Sequence, residues 1–499
     1  MAINSGCAKR PSASADNVLR ISQRNEPATT DPQLATLPDE FFIIRALKEG
    51  LLVPNPAGGA PLPGVAERWE ISADGLTYTF HLRANACWAN GRALTAGDFV
   101  HSIRRALTPA TAAPKAHLFF CLAHAEDFYR GRITDATRIG ASAPDPRQLV
   151  LRLAQPTPDL PALVASGPWI PVYPHVRHEN GVDVYVPGRD MGNGPFMVTG
   201  WHANQRITVT KNPLYWNAAA VQLDRIQFLA FDNGDSEERA FRAGQLDVTM
   251  AVPVTKLAGY RAAQPPVLHS VPLHETRYLA LNTRRPPLND PRVRQALALA
   301  LDRTALVDKV LQGGQQPAFN FVPAGLGGYA PGARITEDAD EARRLLAAAG
   351  FPAGHGFPRL EMSTWVNTPV LEAVQQMWKR ELGLEVALAQ REARTHLAAL
   401  ASGDYAIAFM TAIPDYDGAS DLFTQLTTGH AANYPHWSSA EYDRLAAAAQ
   451  WAPAEKILLG EMPLIPLYFN AQNFLVAPRV RGWRADRLWT RFYRGLSVE

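Results

Sequence analysis

His117, Cys121 and His124 stand four and three residues apart, a spacing that sets three side chains on one face of a helix. Two imidazoles and a thiolate are a donor set that zinc accepts. Their neighbours Leu118, Phe119, Phe120 and Leu122 are apolar, which favours a buried helix over a metal centre. Catalytic signatures are missing. The chain has no Gly-x-Ser-x-Gly elbow, no His-Glu-x-x-His, no Cys-x-x-Cys and no phosphate loop. Gly192-Asn-Gly194 lacks the third glycine and the strand-to-helix setting of a dinucleotide site. Neither an enzyme nor a cofactor is expected.

The elements that must carry any site come from a long chain. Its 499 residues exceed one core and suggest about three domains. Hydrophobic residues make up 47% and charged residues 19%, a globular composition. The 49 basic residues nearly balance 47 acidic ones, so nucleic acid is not an expected partner. No apolar run approaches the ~20 residues of a spanning helix.

A strand is expected at 18–21. Pro38-Asp39-Glu40 opens a helix with Phe41, Ile44, Leu47 and Leu51 on one face. Pro and Gly over 54–64 mark a loop or boundary. Asp74-Gly75 is a turn into a strand, where Leu76, Tyr78, Phe80 and Leu82 alternate with Thr77, Thr79 and His81. Thr95-Ala-Gly-Asp98 is a capping-box pattern starting a further helix. From Arg277 onward, strands expected at 278–282, 360–363, 384–388 and 406–410 alternate with helices at 338–349, 371–382, 394–401 and 441–450. Two last strands are expected at 463–468 and 474–476.

Several segments occur in a telling order. They are Thr30-Asp-Pro32, Glu49-Gly-Leu-Leu52, the stretch from Val65-Ala-Glu-Arg-Trp69 to Thr77-Tyr-Thr-Phe-His-Leu-Arg83, Trp88-Ala-Asn-Gly91 and Asn193-Gly-Pro-Phe196. Lys211-Asn-Pro-Leu-Tyr-Trp216, Phe241-Arg-Ala-Gly-Gln-Leu-Asp247, Leu288-Asn-Asp-Pro-Arg-Val-Arg294 and Ile465-Pro-Leu-Tyr468 complete the series. As a set they resemble the bacterial extracellular oligopeptide- and dipeptide-binding proteins that serve ABC importers. The resemblance implies an α/β, two-lobed periplasmic binding protein fold with a hinge and an additional inserted β-rich domain. Lobe I then comprises 17–53, 189–276 and 471–499, the inserted domain 54–188 and lobe II 277–470. Residues 1–16 form a flexible leader or tether. The hinge strands fall near 277–282 and 466–472.

The same resemblance implies a monomer that captures a peptide between its lobes and hands it to membrane permease subunits. Strand-like pairing to the peptide backbone gives affinity independent of peptide sequence. Its setting is periplasmic or cell-envelope. Ser5-Gly6-Cys7 resembles the end of a lipobox, with Asn4 departing from the pattern. Cys7 is thus either a lipid anchor, the only expected contact with a membrane, or an incidental cysteine in a disordered tail. In an oxidising compartment a disulfide between Cys87 and Cys121 is the competing use of Cys121.

Ile413-Pro-Asp415-Tyr416 matches the family segment whose aspartate binds the peptide α-amine. The competing reading makes Asp415 a loop cap for a helix near Ala419. Thr249, Met250 and Ala251 match a segment whose backbone runs beside the peptide. Tyr278, Trp365, Tyr416 and Trp437 offer pocket walls, with core packing as the alternative. Asn367, Arg391 and Arg394 are the polar groups left where longer-peptide binders carry Trp and several Arg. Thr36 stands where some relatives place Glu. Ligands of another kind are therefore weighed as well: a murein peptide, an antibiotic, an opine, haem or a nickel chelate. A hydrolase or signalling protein on this scaffold is the more distant alternative.

Overall fold

Apolar alternation builds three main sheets in this computed structural model, which describes residues 17–174 and 191–499, with the backbone pairing of His178–Glu179 and Val182–Asp183 between them. In the first sheet, Val18–Gln23 runs parallel to Arg225–Ala230, followed by Arg206–Lys211 and Phe196–His202. Leu19, Ile21, Val209, Ile226 and Phe228 point inward and pack against Phe474, Tyr493 and Leu496 from the C-terminal end. The helix Pro38–Leu47 lies against this core, and its Phe42 carbonyl accepts from the Tyr493 hydroxyl at 2.9 Å.

That helix ends earlier than expected. Lys48 turns to extended backbone, and its ammonium donates to the Thr30 carbonyl at 2.9 Å. Leu51 belongs to a different core, and the buried face is Phe42, Ile43, Ile44, Ala46 and Leu47. The reason is tertiary: the Thr30 carbonyl, 18 residues back, captures the Lys48 side chain just where the apolar period continues.

The second sheet holds Ala66–Ile71, Thr77–Leu82, Gln148–Arg152 and Ala141–Asp145. Tyr78, Phe80 and Leu82 turn inward against the helix Ala96–Leu107. The Asp98 carboxylate accepts from the Thr95 N–H at 2.9 Å and the Trp88 indole at 3.1 Å, fixing the helix start.

The third sheet has six strands, in the order Gln316–Pro317, Leu464–Leu475, Leu268–Leu281, Ile407–Ala412, Leu360–Thr364, Val386–Gln390. Two of these strands are long. Leu268–Leu281 pairs antiparallel with Leu464–Leu475 from Leu268↔Leu475 to Ala280↔Leu464. At one end Phe474 sits in the core of the first sheet; at the other Leu281 and Ile465 sit in the core of the third. The expected pair of short strands at 463–468 and 474–476 is thus one continuous strand. Asn470, Ala471, Gln472 and Asn473 are half-buried where the ribbon passes between cores, so no apolar alternation marks them, and the hinge strand expected near 466–472 runs through them. The ladder is interrupted between Pro272 and Thr276. Beside that gap, buried Glu275 joins the ribbon together. Its carboxylate pairs with Arg277 at 2.6 Å and accepts from Thr411, Asn470 and Trp489 at 3.1, 3.0 and 2.9 Å.

Candidate functional site

Strand Ile407–Ala412 delivers the chain to the point where the three cores meet. Thr276 pairs with Ala412, and the next residues, Ile413 to Asp417, leave the sheet. They border a cavity of about 460 Å³. Phe41 and Arg45 of the first helix, the loop at 54–61, Lys115, the turn at 162–168, His274 and the segment 485–490 complete its wall. Polar groups from several sides therefore converge on one partly open space, in the size range of small-molecule sites.

Asp415 is held from behind. Its backbone N–H donates to the Asp421 carboxylate at 2.6 Å, and Asp421 sits in the first turn of the helix Ala419–Thr424. On the cavity side the Lys115 ammonium bonds the Asp415 carboxylate, across from the second-sheet core. The two side chains keep 19% and 15% of their surface exposed. Asp421 is buried, and burial with the Asp415 charge beside it holds its carboxyl well above the usual carboxylate range.

Tyr416 crosses the same junction. Its ring packs in the second-sheet core with Leu160 and Trp169, and its hydroxyl lies 2.8 Å from the Ser420 hydroxyl. The Ser420 hydroxyl donates to Asp159 on the far side. Gly418 makes this crossing tight. A Cβ there would lie 2.5 Å from the Tyr416 ring and 2.9 Å from Asp159.

The opposite wall is basic. Enclosure pulls the Arg45 guanidinium down to about 10, opposed by the Asp486 charge, so Arg45 stays a cation near neutral pH. Asp486 accepts from the Leu488 and Thr490 N–H groups at 3.0 and 2.7 Å. Burial, with help from Arg487, pulls His274 down to about 4, leaving a neutral imidazole at the cavity edge. The cavity thus offers an acidic group beside Lys115 and a separate arginine.

Of the residues expected from sequence, Ile413, Asp415 and Tyr416 line this cavity, as does Thr36. The others lie elsewhere. Thr249 is fully buried and trades hydrogen bonds with Leu475, its N–H donating at 3.0 Å and its hydroxyl oxygen accepting at 2.8 Å. The Met250 and Ala251 N–H groups donate to Glu237 at 2.6 and 3.1 Å, so the protein itself uses this backbone. Tyr278 meets Phe321 edge-on in the core, and Trp365 packs on His396. Trp437 donates to Glu461 at 2.6 Å, Arg391 pairs with Glu361 at 2.6 Å, and Asn367 is exposed. Arg394 is exposed on the helix Ala393–Ser402.

Two cysteine expectations are corrected. Cys87 and Cys121 are free thiols: Cys87 donates to the Leu214 carbonyl at 3.0 Å and Cys121 faces the Leu118 carbonyl at 3.9 Å. Nor do His117, Cys121 and His124 share a helical face. Residues Ala116–Phe119 form a 3-10 turn, His124 has φ 59°, and a new helix starts at Ala125. Instead, ligand-type atoms of His117, Asp415 and Asp421 lie within 4.8 Å of one another. Such a trio could hold a metal ion. The Lys115 ammonium already supplies a cation there, which makes the cluster an ion-pair network. Cys7 lies outside the described residues.

Arg45, Lys115, Asp421 and Asp486 were not singled out from sequence. Arg45 sits within an expected helix and Asp421 within a recognised helix start, but nothing along the chain marks them as neighbours.

The chain belongs to family 5 of the bacterial extracellular solute-binding proteins, whose middle region matches residues 60–434. It is therefore a member of a family of binding proteins. It is 33% identical to the probable deoxycholate-binding periplasmic protein YgiS of Escherichia coli, over 93% of this chain and 90% of that one. It is 32% identical to the periplasmic murein peptide-binding protein MppA of E. coli, over 92% and 89%. Against the periplasmic oligopeptide-binding protein OppA of E. coli the figures are 30%, 94% and 90%. The fold matches a structure of E. coli MppA with TM-score 0.87 at 29% identity, covering 97% and 98% of the chains. Against the unliganded open form of MppA the TM-score is 0.77, at 29% identity and 97% of each chain. The two-lobed periplasmic binding protein fold is thus shown, in an arrangement nearer the first of these forms. No helix among the described residues is long and apolar enough to cross a membrane.

Proposed function

We propose that this protein captures peptides between its lobes, outside the cytoplasm, and delivers them to the membrane permease subunits of an ABC importer as a monomer. The observation that carries this reading is Asp415: a carboxylate lining a cavity at the junction of three cores. An ammonium brings charge and several donors, which such a carboxylate satisfies. Arg45, across the cavity, suits the ligand's carboxylate. Residues 17–53, 189–276 and 471–499 are read as lobe I, 54–188 as the inserted domain and 277–470 as lobe II. The setting is periplasmic or cell-envelope, with Cys7 as a lipid attachment point. No catalytic role is assigned. The peptide contacts assigned are Ile413, Asp415 and Tyr416.

Native mass spectrometry of the protein purified from cells tests this. Release of intact peptide masses on denaturation is the expected result. A second reading has one observation in its favour. Lys115 already occupies Asp415, and with Arg45 it equips the cavity for an anionic ligand that lacks an amine. A released non-peptide carboxylate decides for that reading.

A further inference from the structure

The amine site contains more acid than base. Asp415 and Asp421 bring carboxyl oxygens within 4.8 Å of each other, and among the described residues Lys115 is the ammonium that pairs with them, bonded to Asp415. Asp421 is 2% exposed. The groups that face it are Asp415 and Tyr416 from the loop, Gln425 beyond its own helix, and Lys115 and His117 from across the junction. Burial favours the neutral imidazole of His117, whose ring meets His430 edge-on at 5.1 Å. With Asp421 buried beside the Asp415 charge and one counter-ion for both, ionisation of Asp421 is disfavoured. A second cation on Asp415 changes that balance. The exposed part of Asp415 opens onto the cavity, so this cation would arrive with the ligand.

We propose that Asp421 is the second acidic member of the ligand-amine site, carrying a proton in the ligand-free protein and releasing it when a peptide ammonium docks on Asp415. This rests on the peptide reading above. The Asp421 O–H bond breaks, its electron pair stays on the carboxylate, and the proton passes to solvent. The ligated site then holds two carboxylates and two ammonium groups. Asp421 does not line the cavity. It acts through Asp415, whose backbone N–H it holds at 2.6 Å, and is a positioning residue. Its helix-start role alone predicts no exchange of protons.

The test is calorimetric titration with a pool of random-sequence tripeptides at about pH 6, where the peptide amine, with an ordinary pKa of roughly 7.7–8.0, is fully charged. Repeating it in two buffers of different ionisation enthalpy counts the protons. The expected result is release of close to one proton per bound peptide. Affinity should tighten by up to about tenfold per pH unit from roughly pH 5 to 7, as linkage to one proton requires. Asp421→Asn keeps an acceptor for the Asp415 N–H; it should bind peptide without proton release and with a flat pH profile. Peptide binding to the wild type without proton release, or with uptake, overturns the inference and leaves the peptide reading standing. Failure of the pool to bind removes the peptide reading, and the inference with it. Should the variant not fold, the wild-type proton count alone decides.

Discussion

On the peptide reading, Asp415 meets the charge of the ligand's amine. When the lobes close, an ammonium loses water and needs a fixed countercharge. Removing one member of a buried ion pair costs ~3–5 kcal/mol. Asp415→Asn keeps the shape and removes the charge. It should weaken peptides with a free N-terminus by roughly a hundredfold or more. N-acetylated peptides should bind the wild type poorly and lose little in the variant. Isothermal titration of both ligand series measures this, and equal losses would falsify the anchor role. The cysteines give a second expectation at this scale. Burial pushes the Cys121 thiol up to about 12, so little of it is the reactive thiolate at neutral pH. Cys121 should resist alkylation in the folded protein and react once unfolded. Intact mass should not change on reduction; a gain of two hydrogens would restore the Cys87–Cys121 bridge.

The long ribbon Leu268–Leu281 and Leu464–Leu475 is the element on which motion must turn. It passes from one core to another, its ladder breaks beside Pro272, and Glu275 ties its two strands to Thr411 and Trp489. His274 lies in that break, its backbone N–H donating to the Arg487 carbonyl at 2.8 Å. Its imidazole titrates near 4 in the fold against about 6.5 unfolded. The neutral ring is thus the folded form. Stability from this group is fully present above about pH 6.5 and falls as pH drops towards 4, by up to about 3 kcal/mol. Urea unfolding at a series of pH values should show the loss, and His274→Gln should reduce it. An identical pH dependence in the variant would place the acid sensitivity elsewhere.

In the molecule as a whole, direct contacts bridge the junction of the three cores around the cavity. Lys115–Asp415 and Ser420–Asp159 are two of them, joined by the Tyr416 ring. Partly exposed ion pairs contribute little. A ligand touching both sides adds contacts that only the closed form can make, and so shifts the population toward closure. Small-angle scattering should show a smaller radius of gyration with bound peptide. An unchanged radius at saturating, verified binding sinks the hinge reading.

Much of this was written in local pattern. Alternation at Tyr78, Phe80 and Leu82 gave a strand, and Thr95 with Asp98 gave a helix start, because both depend on neighbours along the chain. The ordered segments from Thr30 to Tyr468 carried the family. Where local pattern and tertiary need part, local reading stops. Asn470, Gln472 and Asn473 show no strand alternation of their own, because half-burial between two cores leaves no apolar period. The helix after Pro38 stops at Leu47 because Lys48 meets a carbonyl 18 residues away. The site is the extreme case. Lys115 and Asp415 are 300 residues apart, and Asp159 and Ser420 are 261 apart. Sequence determined that a carboxylate stands in the Ile413–Tyr416 loop. Only the packing of three cores decided which cation faces it, and that a second buried carboxyl lies behind it, because charges that distant along the chain interact only once the fold encloses them.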